Sequence, residues 1–576
     1  MKTPRCLVSR RLRLARTSRA AGRSKPRVVA HCIVAAVASA AWCAGAAAAT
    51  LVVSLEPVST GSEARQFRTI QQAVDAAQPG DTVQILAGLY RECVTVRRGG
   101  TAEAPVRIEA ADGATVVLTG ADRLQAWKSE ERGVFSHEWR HVFINHSRQN
   151  THPDDPEHRL VGRAEQVIDR GYLLRQVLDR SHVAPGTFFA DLSGKRLYAM
   201  PIDGADYLDA NVSVEASTRA EVLIIEADHV CVRGLTIRHA ANAAQQGAAQ
   251  LRGKAIEVQA CVVERTNGVA ATVTGEAVRL RGCTFRDNGQ MGLGGARCHG
   301  LKLLDCLISG NNTKGFERGW EAGGMKLVLC RGVEVAGCKV VDNRGVGLWF
   351  DIGAEDVTVR NCLLADNEDA GLFYEISYGL HAHDNLAVGN GLAHNPSAWG
   401  SQAGIAISSS QGCKVERNIL IGNREGLAFR EQQRTTPRID QEKEAPIRVK
   451  DVAVTANLIA CNVDGQVRGW FDVDDKRHLP PLLAQMGLTF RDNRYVVQGS
   501  QAFWVWGASW RNPKTYATPE QVLADLGLDA GAVIVASAPF QIYGPQRYRL
   551  TRLPPFGDVL PRGDVPGLTV ASPDAK

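Results

Sequence analysis

No CxxC pair occurs anywhere in these 576 residues, so the common zinc-binding spacings are absent. Nor is there a dense run of Asp residues of the kind that builds a cation site. No apolar stretch is long enough to remain a membrane span: the best, Val28 to Cys43, covers 16 residues where about 20 are needed. The first 27 residues contain ten Lys or Arg and no acid. With the apolar run and the small residues Ala46-Ala47-Ala48-Ala49 that follow, residues 1–49 read as an export signal, to be excluded from the fold. Beyond it stand 57 cations against 61 anions, a net charge of −4. The basic balance of the whole chain therefore belongs to the leader, and nucleic acid loses its main support as a partner. Periplasm and extracellular release both suit such a signal.

Fourteen cysteines suggest a disulfide framework until their spacing is read. Cys6, Cys32 and Cys43 lie in the leader, which leaves an odd eleven. Cys261, Cys283, Cys306, Cys338 and Cys362 then fall one per repeat, which marks a stacking position and not bridges.

What is present in quantity is the repeat. Seven segments share Cys or Asn followed five positions later by Asn: Cys283/Asn288, Cys306/Asn311, Cys338/Asn343, Cys362/Asn367, Asn385/Asn390, Asn418/Asn423 and Asn457/Asn462. Their steps are 23, 32, 24, 23, 33 and 39 residues, so the longer ones are the same unit with loops inserted. Asn suits a tight left-handed corner and can stack its amide on a copy of itself. Each unit also carries Gly and an alternating run, as in Gly347-Leu348-Trp349-Phe350-Asp351. The expectation is an all-β chain, a parallel β-helix solenoid.

Around the repeat, residues 50–125 read as a cap and first coils, with a helix over 67–77 closing the end of the solenoid. Residues 126–215 break the rhythm and read as an inserted antiparallel β-module of sandwich type. Residues 216–475 are the repeats. Residues 476–576 form a C-terminal segment with a helix from Pro519 to Gly527 and Trp504, Trp506 and Trp510 as packing anchors. His152, Asp154, Asp155 and His158 tempt a metal reading, but their Pro-flanked polar setting favours a solvated turn.

Aligned on their glycines, Gly347–Asp351 and Gly371–Glu375 place two carboxylates at one offset, one coil apart. Adjacent strands lie about 4.8 Å apart, close to the separation of about 5–5.5 Å between the carboxyls of a retaining glycosidase. Alternation points Lys326, Trp349 and Phe373 outward, then Asp351, Glu375 and Arg430 two positions on. The face thus reads as an acid pair beside a Lys, an Arg and an exposed indole. Like charges so placed repel, and one carboxyl keeping its proton relieves them. A plain charge ladder, with Lys326 and Arg430 neutralising the acids, fits the spacing equally well.

The blocks Trp320-Glu321-Ala322-Gly323-Gly324-Met325-Lys326, Gly347-Leu348-Trp349-Phe350-Asp351 and Leu372-Phe373-Tyr374-Glu375-Ile376-Ser377 resemble the β-helix β-xylosidase family. The stretch 66–101 is similar to the cap of pectate-lyase-like β-helix enzymes. The resemblance implies a right-handed helix and a retaining mechanism without cofactor, acting on an oligosaccharide or polysaccharide. Asp351 would be the nucleophile and Glu375 the acid/base, with Glu321, Lys326, Trp349, Trp320, Tyr378, Arg430 and His239 as candidate sugar-binding residues. Ile352 and Tyr378 depart from the family, which tends to carry Trp and His there, so the xylose specificity is open. Two alternatives stay beside it. One is a calcium-dependent lyase or epimerase on uronates, with Lys326 or Arg430 as base. The other is a non-catalytic protein that grips glycan at a surface.

Overall fold

The computed structural model describes residues 48–57, 65–143, 159–394, 402–441, 443–472, 475–508 and 513–535, and the backbone of three strands between 540 and 570. Among these, three long sheets dominate, of 14, 13 and 13 strands, and successive coils pair in parallel. Each coil gives one strand to each sheet in turn: Glu334–Ala336, Lys339–Val341 and Val346–Asp351, then Glu355–Arg360, Leu363–Ala365 and Leu372–Glu375. Alternate residues fill the interior, among them Leu348, Phe350, Leu372 and Tyr374.

The repeated Asn residues form one buried ladder. Asn288, Asn311, Asn343, Asn367, Asn390, Asn423 and Asn462 each donate Nδ2–H to the Oδ1 of the next copy or, at the end, to Gln466 Oε1, at 2.9–3.1 Å. The cysteines stack in a second column as free thiols with their Sγ on backbone carbonyls, and no disulfide joins them. From Asn385 onward asparagines continue that column through Asn418, Asn457 and Asn493 to Asp529. One expectation is corrected here. The left-handed corner falls not on these asparagines but on the residue before each: Asp287, Asp342, Asp366 and Cys461 have φ between +54° and +56°. The amide must point inward to stack, so its neighbour takes the turn. Glycines of the third sheet make room for the ladder: a Cβ on Gly347 would meet Gly371 O at 2.7 Å and Asn367 Nδ2 at 2.9 Å.

At the N-terminal end the helix spans Ile70–Ala76, shorter than expected because Arg65–Phe67 is a strand. Thr69 caps it by accepting the Gln72 N–H. Gln71 closes the open edge of the third sheet: its Oε1 accepts the Thr95 N–H at 2.7 Å and its Nε2 donates to Thr95 O at 3.1 Å. One amide side chain thus stands in for a missing strand.

The excursion pairs from Ala121–Arg123 to Val214–Ser217, slightly wider than 126–215. It holds a five-stranded and a four-stranded sheet. Trp139, Phe188 and Leu197 share one core with Val167, Val214 and Ala216 of the other sheet, a small sandwich; one pairing, between Arg175–Val177 and Thr187–Asp191, is parallel. The repeat does not end near 475. Leu488–Arg491, Arg494–Val496 and Trp504–Gly507 add another coil to the three sheets, with Trp504 and Trp506 inside the core. The C-terminal helix is Pro519–Leu526, capped by Thr518 and ended at Gly527 with φ +68°. Residues 1–47, the cluster His152, Asp154, Asp155 and His158, and Trp510 lie outside the described residues. Among the described residues no helix is long and apolar enough to cross a membrane.

Candidate active site

The outer face of the third sheet is read directly from its register. Gly294 pairs with Lys326, Lys326 with Trp349, and Trp349 with Phe373; Val328 pairs with Asp351, and Glu375 with Ser408. Asp351 and Glu375 therefore occupy matching places on neighbouring strands, as their glycine offsets predicted. Directly after them the chain turns at Ile352 and Ile376, with φ +44° and +38°. A β-branched residue is costly in that region, so backbone strain sits beside both carboxylates.

The face is outward but not exposed. Asp351 is 5 % and Glu375 4 % accessible, and a buried carboxylate must be paired or protonated. The two solve this differently. Asp351 Oδ2 lies 2.9 Å from Lys326 Nζ, and its Oδ1 accepts the Ile352 N–H at 2.7 Å. Burial opposes the charge on Lys326, but Asp351, then Glu321 and Glu375, outweigh it and raise its pKa, so it stays cationic. Glu375 is pushed up to about 7, first by burial and then by the Asp351 charge, against the pull of Arg434 and Lys326. Asp351 is thus tied to Lys326 and to the adjoining backbone, while burial and the Asp351 charge hold Glu375 up at about 7.

Arg434 is the residue that the repeat did not reveal. Its Nη1 donates to Glu375 Oε1 at 2.8 Å. It comes from an antiparallel hairpin, Arg434–Thr436 with Ala445–Ile447, inserted in the 39-residue step. The hairpin folds back over earlier coils: the Ile439 N–H binds Glu355 Oε1 at 3.0 Å, and Arg331 bridges Glu355 and Asp440. Gly353 (φ +67°) lets it down, since a Cβ there would stand 2.4 Å from Pro437 O. At its base the fully buried Glu431 binds Arg448, Arg477 and the Val449 N–H.

The other expected residues divide. Glu321 joins the site, with Lys326 Nζ 3.6 Å from its Oε1 and Gln245 Nε2 2.7 Å from its Oε2. Trp349 is present but is no exposed platform. It is 5 % accessible, Lys326 Nζ sits 3.6 Å from its ring centre, and Phe373 packs against it at 5.4 Å. Arg430 lies two strands past Glu375 and pairs with Asp472 at 3.0 Å, so it does not neutralise the acid pair. Tyr378 begins a strand of a different sheet and packs with Ile376 and Ile447 under Arg438, whose guanidinium is 3.8 Å from the ring. His239 is buried at a corner (φ +58°) with both ring nitrogens unpartnered. Burial, with Arg238, Arg265 and Arg91, pushes it down to about 3, and among the described residues no contact ties it to the carboxylates. Of Trp320 only the backbone is described. Among the described residues no three His, Cys, Asp or Glu side chains converge as a metal site.

The inserted sandwich stands next to this region, since its Val161 packs against Ala244, Phe316 and Ala322, beside Glu321.

A family model described as a right-handed beta helix region matches residues 246–420. Among solved structures, a complex of XylC with xylose superposes with a TM-score of 0.59 at 16 % identity, over 79 % of this chain and 85 % of that one. The chain is a right-handed parallel β-helix. The A-module of the Azotobacter vinelandii mannuronan C-5 epimerase AlgE6 aligns over 81 % of the β-helix chain and 95 % of its own, at 12 % identity and a TM-score of 0.41. A structure titled glycoside hydrolase aligns over 84 % and 95 %, at 10 % and 0.39. No curated protein matches this β-helix in sequence. At such identities the likeness speaks for the fold, and the chemistry must be argued from the side chains.

Proposed function

We propose that this β-helix is an exported retaining glycoside hydrolase. The observation that carries the reading is the unequal pair: Asp351 ion-paired to Lys326, and Glu375 pushed up to about 7 on the adjacent strand. In the first step an Asp351 oxygen attacks the anomeric carbon while the bond to the leaving oxygen breaks. Glu375 gives that oxygen its proton. In the second, Glu375 as carboxylate takes a proton from water, whose oxygen attacks the same carbon and releases Asp351. Lys326 pairs with Asp351 and orients it, and Glu321 holds Lys326 from the other side. The XylC–xylose likeness agrees with a sugar ligand but does not choose the sugar.

A calcium-dependent lyase fits these residues poorly. Two cations, Lys326 and Arg434, already lie on the two carboxylates, where calcium wants six to eight oxygen ligands. Lys326, with its pKa raised, is also a poor base. The test is turnover of aryl xyloside, arabinoside, galactoside and glucoside by wild type and by Glu375→Gln. Release by wild type is expected, cut about 10²–10⁴-fold in the variant and partly restored by azide. Equal rates in both proteins would remove Glu375 from the chemistry.

A further inference from the structure

Beside the carboxylate pair, the outer face of the third sheet holds a cleft of ≈ 520 Å³ that neither carboxylate lines. Its floor follows the paired column Gln250, Thr272, Gly294 and Lys326 across four strands. Three inter-strand steps of about 4.8 Å give it a length of about 14 Å. Gly294 is the low point of that floor. A Cβ there would meet only side-chain atoms, Met291 Cε at 3.1 Å and Thr272 Cγ2 at 3.6 Å, so the absent side chain leaves a depression and relieves no backbone clash. Glu321 and Lys326 stand at the junction, lining this cleft while Lys326 holds Asp351.

The lining has a definite chemistry. Its charges balance, Glu221 and Glu321 against Arg252 and Lys326, and the remainder divides evenly between amides and hydroxyls (Gln245, Gln246, Gln250, Thr272, Thr274) and glycine or apolar residues. Arg252 is further occupied by Glu226 and Gln250. A groove for a polyuronate needs a net positive field, whereas mixed donors and acceptors suit the hydroxyls of an uncharged glycan.

We infer that this cleft is a run of sugar subsites continuous with Asp351 and Glu375, and that the substrate is an uncharged oligosaccharide with at least one further sugar ring seated over Gly294. The inference rests on the glycosidase reading and narrows its substrate. The test is kcat/KM on matched aryl glycosides carrying one, two or three sugar units, with wild type and Gly294→Leu. Wild type should gain about tenfold or more from one unit to two, and Gly294→Leu should lose that gain. Gly294→Ala, which displaces only a flexible Met terminus, controls for folding and should lose less. Equal kcat/KM for one and two units, or an equal loss on both in Gly294→Leu, overturns the inference. Calorimetry of Glu375→Gln with uncharged and uronic oligosaccharides reads the cleft apart from turnover. Preference for the uncharged chain, weakened by Gly294→Leu, is expected even if hydrolysis fails, and preference for the uronate overturns it.

Discussion

Replacing Arg434 by Gln removes the cation that lies 2.8 Å from Glu375 Oε1 and leaves the rest of the pair in place. Glu375 stands near 7 because burial and Asp351 raise it while Arg434 and Lys326 hold it down. With charge centres about 4 Å apart and an effective dielectric of about 20, the lost attraction is about 4 kcal/mol. At 1.36 kcal/mol per unit that is an upper bound of about three units, and opposite charges at this range typically move a carboxyl by about one to three. The direction follows from the role. A general acid works protonated, so kcat/KM falls as pH rises through its pKa, and a higher pKa carries that limb upward. In Arg434→Gln the basic limb of the aryl glycoside profile should move from about 7 to about 8 or beyond, while Arg434→Lys keeps most of the wild-type profile. Circular dichroism across the same range separates this from unfolding. A basic limb that stays in place, or moves down, in folded Arg434→Gln would refute the electrostatic account of Glu375.

Glu375 also sets a stability slope: its folded pKa, about 7, lies above its unfolded value of 4.5, so the folded chain holds a proton that the unfolded chain has lost. Its contribution is complete below about 4.5 and fades as pH rises through about 7, at most about 3 kcal/mol; thermal unfolding of Glu375→Gln should be flatter between pH 5 and 8 than that of wild type. Asn367→Ala breaks the ladder: it removes the Oδ1 that accepts from the Asn343 Nδ2–H and N–H, and the Nδ2–H bonds to Asn390 Oδ1 and the Val340 carbonyl. A loss of about 2–4 kcal/mol in denaturant unfolding is expected, and a change under about 0.5 kcal/mol would show that the stacked amides do not hold the coils.

The placement of Asp351 and Glu375 was legible because it needs only strand alternation and a glycine anchor, both written locally and repeated. The same logic gave the asparagine column, since one inward amide per coil leaves a mark at every step. Alternation says which way a side chain leaves the sheet but not what lies beyond, so Trp349 was placed outward correctly and its covering by Lys326 and Phe373 was invisible. Arg430 shows the complementary limit, because its Cα register is right while its long side chain reaches the nearer Asp472. The last coil hid because Asn493 keeps one ladder position while the position five residues on is Gln498.

Arg434 was out of reach for a reason that also locates it. It lies 59 residues from Glu375, and nothing in its neighbours carries the period. Its hairpin fills the largest excess over the basic step of 23 or 24, the 39 residues from Asn418 to Asn457. The 32-residue step from Cys306 to Cys338 likewise contains Glu321, and its added loop packs Phe316 and Ala322 against the sandwich. In a solenoid the regular coil can supply only what one sheet face repeats, here two carboxylates in matching places and a lysine in the neighbouring column. Glu321, which braces Lys326, and Arg434, which draws Glu375 back down, enter from the inserted segments, and the step lengths record where they do.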